Sequence, residues 1–387
     1  MSQPLLPYGR QTIEDDDIEA VAQALRGDFL TTGPTVEAFE DAFAGTVGAR
    51  YAVACANGTA ALHLAMLALD VQPGEVVIAP AITFLATANC ARYVGAEVVF
   101  ADVDPLTGLM TPDTLAGALA RVDGRRLRAV LPVHLRGDVA ELAALEGLAR
   151  GAGAVLVEDA PHALGSTATF GNVAERVGDA RHSAMATFSF HPVKTIATGE
   201  GGMVTTNDAG LAERLRIMRS HGMVRPEGGD PWWYEMPEPG FNYRLPDILC
   251  ALGLSQLAKL PRFAARRKAL AARYQAALGP LAPTVRPAAR PAWSDPVLHL
   301  MVVLIDFAAA GTTRRQVVDA LKARGVGTQV HYIPVSRQPY YVNRYGPLSL
   351  PGADAWYEAC LSLPLYPGMA DEDVDKVVGA LAEVLGL

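Results

Sequence analysis

"TFSFHPVKTIATGEGGMVTTND" runs from Thr187 to Asp208 and holds a single lysine, Lys194, among small and apolar residues. Its company is Phe188, Phe190, Pro192, Val193 and Ile196, with Glu200 and the pair Gly201-Gly202 just behind. A surface lysine ordinarily has other charges around it. One reading is a loop lysine at the bend made by Pro192. The other is an amine held in a site and kept reactive toward a carbonyl, because apolar surroundings disfavour the ammonium form and lower its pKa. What surrounds the stretch has to choose between them.

Upstream, short β-branched runs alternate with helical spacing. "EVVIAP" (75–80), "AEVVFADVD" (96–104), "RAVLPVHL" (128–135) and "AVLVEDA" (154–160) each end in polar or turn residues. Between them lie helical stretches such as "TPDTLAGALA" and "DVAELAALEGLARGAG", and "IEDDDIEAVAQAL" (13–25) has acidic residues in its first turn, as helices favour. "YAVACANGTAALHLAMLAL" (51–69) reads as a strand, a turn at Asn57-Gly58 and a helix. This alternation indicates βα units and a mostly parallel sheet covered on both faces, an α/β fold. Downstream the pattern changes. Residues 244–278 are helix-rich with a break near Pro261, and the tail mixes strands ("HLMVVLIDF") with helices ("TRRQVVDALKARG", "DEDVDKVVGALAEVL"). The expected division is a large α/β domain over 1–255, including the N-terminal segment, and a smaller α+β domain over 256–387. "VRPAARPAW" (285–293) reads as a Pro-rich connector.

The chain has 387 residues, half of them hydrophobic, which is enough for a large core and two domains. Its net charge of −8 and lack of a basic block argue against nucleic acid as a partner. An anionic ligand would have to be held by local donors, not by the overall field. Cys55, Cys90, Cys250 and Cys360 form no C-x-x-C pair, so no metal site is expected and buried free thiols are. No basic region followed by an apolar run opens the sequence, and no stretch approaches the ~20 apolar residues of a membrane span. The expectation is a soluble cytoplasmic protein with no membrane contact.

Ligands of open α/β sheets bind at the carboxyl ends of the strands, and four polar or aromatic features fall there. In "ANGTAAL", Gly58 and Thr59 stand between a strand and a helix start, suited to a phosphate or simply to a capping turn. In "VEDAPHALGS", Asp159 ends an apolar strand, where a carboxylate needs a partner or serves as a helix cap. Phe84 in "ITFLATAN" could cover a flat ring or belong to the core. Lys194 has Ser189 five residues before it. A phosphate cradle, a buried carboxylate, an aromatic and a lysine are together the parts of a pyridoxal phosphate site. The carboxylate keeps the pyridine nitrogen protonated and the lysine bonds the aldehyde.

With these motifs the sequence resembles the fold-type I pyridoxal phosphate enzymes of the DegT/DnrJ/EryC1/StrS group, the nucleotide-sugar aminotransferases. The resemblance covers nearly the whole chain: "FLTTGPTVEAFE", "NGTAAL", "TFLATAN", "VEDAPHALGS", "SFHPVKTIATGEGGMVTTND", "RSHGM", "GFNYRLPDILCALGLSQL" and "QVHYIPV". It implies that Lys194 carries the cofactor covalently and that Asp159 pairs with the pyridine nitrogen. His162 would lie near the 3-hydroxyl, and Ser189, Gly58 and Thr59 would hold the phosphate. Phe84 would cover one ring face, with Ala160 near the other. It further implies a homodimer with shared sites, in which Asn242 reaches the phosphate of the neighbouring subunit. Tyr8, Thr31, His331 and Tyr332 match positions near the sugar nucleotide.

The implied reaction is ping-pong amino transfer. L-glutamate would convert the cofactor to pyridoxamine phosphate, and a 4-keto-6-deoxy nucleotide sugar would accept the amino group. "SFHPVK…GEGG", "PHALGS", "RSHGM" and "QVHY" are most similar to the branch that aminates a UDP-4-keto-6-deoxy-N-acetyl-L-altrosamine-type sugar on the route to pseudaminic acid. Other keto nucleotide sugars (GDP-4-keto-6-deoxymannose, or dTDP- and UDP-linked 3- or 4-keto sugars) are the alternative. The sugar 3-dehydratase branch has histidine where Lys194 stands, and a non-catalytic regulatory relative should have lost Lys194 or Asp159. Two departures stand out. Pro161 replaces the commoner Ala or Ser, and "TATFGNVAERVGDAR" before His182 looks like a surface loop insertion.

Overall fold

The computed structural model describes residues 5–387; the reading of the N-terminus as free of a secretory signal rests partly on residues 1–4, outside that range. Two helices, α1 (Asp15–Arg26) and α2 (Pro34–Val47), come first. Then follow β1 (Tyr51–Cys55), α3 (Gly58–Ala68), β2 (Val76–Pro80), α4 (Leu85–Tyr93), β3 (Glu97–Ala101), α5 (Pro112–Leu119), β4 (Leu127–Val130), α6 (Leu142–Gly151) and β5 (Val155–Asp159). A hairpin, β6 (Thr167–Phe170) and β7 (Val173–Arg176), precedes β8 (Met185–Ser189), β9 (Gly202–Thr206) and α7 (Ala209–Arg219).

Seven strands form one sheet in the order β1-β9-β8-β5-β4-β2-β3. β8, β5, β4, β2 and β3 pair in parallel, and β9 lies antiparallel to both β1 and β8. Alternation along each strand sends side chains to two apolar layers. Val53, Val77, Phe100, Val157 and Val204 face α3, α4 and α7. Ala54, Ile78, Val99, Leu156 and Phe188 face α2, α5 and α6. A mostly parallel sheet needs both covers because its backbone and its apolar strands exclude water on each side.

The remainder comprises α8 (Asp247–Ala258), α9 (Leu260–Leu278), β10 (Val285–Pro287), β11 (Ser294–Asp295), β12 (Met301–Ile305), α10 (Arg314–Ala323), α11 (Pro339–Tyr345), α12 (Pro351–Ala359), β13 (Cys360–Leu363) and α13 (Asp371–Leu385). β10, β12 and β13 form a three-stranded sheet, and α9, α10 and α13 close a third apolar cluster over it. Pro261 stands in the first turn of α9, where its missing N–H is harmless. The expected division at 255 falls inside α8. Leu6 is hydrogen-bonded to Gly325 and Gly327, and the Tyr8 carbonyl accepts from Leu365 at 3.0 Å. The N-terminal segment, grouped by sequence with the large domain, thus lies against the C-terminal part.

Two expectations are corrected. The segment after Ser166 is a paired β-hairpin, not a loop: Thr167–Phe170 lies against Val173–Arg176, and β11 adds a third strand. Its strands alternate as a half-buried hairpin does, and Gly171 turns the chain at φ 63°. The connector at 285–293 begins as strand β10, paired with β12, and Pro287 ends it where no ladder donor is needed. The four cysteines are buried and unpaired, as expected. Among the described residues no helix is long and apolar enough to cross a membrane.

Candidate active site

The carboxyl ends of β1, β2, β5 and β8 share one edge of the sheet, and a cleft of about 670 Å³ opens there. Its lining includes Tyr8, Gly58, Thr59, Phe84, Asp159, His162, Ser189, Lys194, His331 and Tyr332. Ten of the twelve residues singled out by sequence therefore meet in one place. Thr31 and Asn242 do not; both are exposed and outside this chain's cleft.

Asn57 caps α3, its side chain accepting from Ala60 N–H at 2.8 Å. That leaves the amides of Gly58 and Thr59 at the positive end of an eleven-residue helix, aimed at the cleft. Glycine is required at 58 by proximity: a Cβ there would sit 2.8 Å from Ser189 Cβ. A Cβ at Gly202 would collide with the Asn57 carbonyl. The two glycines let β8, β9 and the start of α3 press together and bring the Ser189 hydroxyl to the helix terminus.

Asp159 ends β5 and is buried. Thr87 donates its hydroxyl to Oδ2, and Thr83 lies 2.6 Å from Thr87, hydroxyl to hydroxyl. Burial raises the Asp159 pKa; the Thr87 hydrogen bond and the Lys194 charge oppose the rise. Among the described residues Oδ1 takes no hydrogen bond, so the carboxylate has room for a cationic N–H donor. Behind it, His134 Nε2 meets Glu158 at 2.9 Å, and Glu158 accepts from Ser183 at 2.6 Å.

Lys194 lies in the turn between β8 and β9, its N–H bonded to the His191 carbonyl at 2.8 Å. Its amine has no hydrogen-bond or ion-pair partner among the described residues. Desolvation draws its pKa down from 10.5 to about 8, against the pull of Asp159. This is the direction that the apolar neighbours in the sequence implied.

His162 is buried, with Nε2 at 3.2 Å from the Tyr332 hydroxyl and Nδ1 unpartnered among the described residues. Burial and the Lys194 charge hold it well below its ordinary pKa. His331 Nδ1 meets Ser362 at 2.7 Å, and burial lowers its pKa to about 3. Phe84 caps α4 and is half exposed, 6.3 Å from the Tyr332 ring. Ala160 is fully buried.

The sequence reading passed over Thr87 and His299, which also line the cleft. Thr87 stands three residues after Phe84, on the first turn of α4, a helical offset that could have flagged it. His299 is the polar interruption of the apolar run "VLHLMVV".

A profile of the DegT/DnrJ/EryC1/StrS aminotransferase family matches residues 11–382. The chain belongs to that family. Its resemblance in sequence is thus borne out, and it is a pyridoxal-phosphate-dependent sugar aminotransferase by class. It is 39% identical to the spore coat polysaccharide biosynthesis protein SpsC of Bacillus subtilis, over 98% of this chain and 97% of that one. Among solved structures it is similar to PseC of Helicobacter pylori, an aminotransferase of pseudaminic acid biosynthesis. That match has a TM-score of 0.90 at 28% identity and covers 99% of both chains. Spr1654 of Streptococcus pneumoniae, solved in a PMP form, gives 0.89 at 26% identity over 98% of this chain and 99% of that one. Its PLP form gives 0.88. These likenesses bear out the fold type expected from sequence.

The residues present fit pyridoxal phosphate. The free amides at α3 and the Ser189 hydroxyl suit its phosphate, the open Oδ1 of Asp159 its ring nitrogen, the orphaned Nδ1 of His162 a ring oxygen, and the unpaired Lys194 amine its aldehyde.

Proposed function

We propose that this enzyme transfers an amino group from L-glutamate to a 4-keto-6-deoxy nucleotide sugar by a ping-pong route. A UDP-linked N-acetyl-altrosamine type of sugar is the favoured acceptor. The observation that carries the reading is the meeting of Lys194, Asp159, His162 and the α3 terminus in one cleft. When bound, pyridoxal phosphate supplies an electron sink and ferries the amino group. Gly58, Thr59 and Ser189 hold its phosphate. Asp159 keeps a proton on the ring nitrogen, and its own burial is relieved by that pairing. Lys194 Nζ would hold the aldehyde and, when not bonded to it, would act as the base that moves a proton at the donor or acceptor carbon. Phe84 shields one side. Tyr8, His331 and Tyr332, which also line the cleft, orient the sugar nucleotide, and Thr31 and Asn242 act from a second copy of the chain.

The likeness to PseC supports the acceptor. The higher identity to SpsC favours a second reading, a different keto nucleotide sugar destined for a surface polysaccharide. The test is incubation with glutamate and a panel of UDP-, GDP- and dTDP-linked 3-keto and 4-keto sugars, with products read by mass and NMR. A 4-amino product from the UDP-linked acceptor, and faster than from any other, is expected. Exclusive amination at C3, or a clear preference for another nucleotide, overturns the acceptor while leaving the transaminase reading intact.

A further inference from the structure

His299 precedes β12 and lines the cleft with only 3% of its surface exposed. Its main chain is clamped on both sides. The N–H donates to the Arg136 carbonyl at 2.7 Å, and the carbonyl accepts from Arg267 Nη1 at 3.3 Å. Arg267, itself fully buried, also reaches the carbonyls of Leu298 and Leu365. Among the described residues its side chain has no partner: His299 Nδ1 is buried and takes no hydrogen bond. Burying such a nitrogen without a partner is unfavourable, so an apolar residue would stabilise this position better unless the ring serves another purpose.

The ring lies against His162, centroid to centroid 4.6 Å and tilted by 32°. His162 is thus held at one edge by the Tyr332 hydroxyl and along one side by His299. Those two contacts leave its Nδ1 as the free atom.

We propose that His299 is a positioning residue for amino transfer: its flat ring holds His162 so that the free Nδ1 is presented to the cofactor. This rests on the reading that His162 faces the cofactor. The groups facing the pair from the packed elements are Lys194, His331, Tyr332 and, across the main chain, Arg267. Burial and the neighbouring cations all act to keep both imidazoles neutral. Neutral rings pack without mutual repulsion, and the pair can stay in contact throughout the working pH range.

The test uses the whole protein loaded with pyridoxal phosphate. The absorbance of the lysine-bound cofactor is titrated against pH, and cofactor dissociation is measured alongside. His299→Ala and His299→Leu remove the flat ring, the second without leaving a hole; His299→Phe keeps a ring and loses the nitrogens. His162→Asn removes the residue held. The first two should displace the chromophore's apparent pKa by about half a unit to one unit, roughly three- to tenfold in the equilibrium, and speed cofactor loss by a similar factor. His299→Phe should stay near wild type, and His162→Asn should displace the pKa at least as far as His299→Ala. Unchanged titration in folded His299→Leu, with His162→Asn displaced, would show His299 to be packing only and sink the proposal. Equal displacement in His299→Phe would assign the effect to the nitrogens and overturn the ring argument. No displacement in His162→Asn would remove the reading of His162 itself, and the proposal with it.

Discussion

By the proposed function Lys194 needs a neutral amine at a pH where an exposed lysine is charged, and desolvation moves it in that direction by lowering the pKa to about 8. The sign matters for stability. Below about 8 folded and unfolded chains both carry the proton, and the enclosed ammonium is a constant cost. Between about 8 and the ordinary 10.5 only the unfolded chain keeps it, so this group's contribution to stability rises with pH across that window. The rate at which apoprotein captures pyridoxal phosphate should follow the same titration, rising through an inflection at about 8 and then levelling. Stopped-flow absorbance would read it, and an inflection near 10.5 would mean that Lys194 is not enclosed. Lys194→Ala should yield no borohydride-fixed cofactor; a fixed adduct at another lysine would reassign the site. Asp159→Asn keeps the shape and removes the charge. The cofactor should still bind through Gly58, Thr59 and Ser189, while both half-reactions slow about a hundred- to thousandfold, the loss of roughly 2.7–4 kcal/mol typical of one electrostatic contact to a reacting group. Wild-type turnover with full cofactor occupancy would show that another acid serves the ring nitrogen.

At the scale of elements, the proposed phosphate cradle rests on the fit of α3 against β8 and β9. Gly58→Ala places a methyl 2.8 Å from Ser189 Cβ, so Ser189 or the helix terminus must move. Overpacking of this kind costs the folded chain about 1–3 kcal/mol, so the apoprotein should melt at a lower temperature. With Ser189 or the α3 amides displaced, cofactor affinity should also fall, about ten- to hundredfold, the loss of one hydrogen bond to a charged group. Unaltered affinity, measured by equilibrium dialysis, would mean that the terminus does not hold the phosphate. The strands and helices around this cradle were readable because periodicity and turn residues are local signals: "EVVIAP" and "AVLVEDA" are β2 and β5 to within a residue or two. The β6–β7 hairpin was missed because its strands hold only four residues each and depend on distant Ser294–Asp295 for a third partner. Thr87 and His299 were missed for a related reason. Nothing in "LATAN" says that a threonine hydroxyl will meet Asp159, 72 residues away. Only the folded sheet edge brings them together.

At the scale of the whole molecule, an acidic chain of net charge −8 has to hold an anionic cofactor and, by the proposed function, an anionic sugar nucleotide. In the proposed function local donors at the α3 terminus would answer the first need, and a second copy of the chain would help with both. Asn242 and Thr31 are exposed and outside the cleft that holds the other ten sequence-marked residues. Asn242 sits at the base of a segment whose tip exposes Trp232, Trp233 and Tyr234. A residue that serves the cofactor from such a position must serve another subunit's cofactor. In a two-fold dimer the contribution is reciprocal, each chain completing the other's cleft. Asn242→Ala should therefore weaken cofactor retention while leaving Lys194 in place, and Lys194→Ala should be inactive while still offering Asn242. Mixing the two inactive or weakened proteins and allowing subunits to exchange creates hybrid dimers. Each hybrid has one site with Lys194 and a partner's Asn242 both intact, and another with neither. Random exchange of equal amounts puts half of the molecules in hybrids with one restored site of two, so activity should recover to about a quarter of wild type at cofactor levels that leave Asn242→Ala unsaturated. Exchange would be proven by mass spectrometry of differently tagged chains. Proven exchange with activity no higher than the sum of the separate variants would show that each cleft is completed within its own chain.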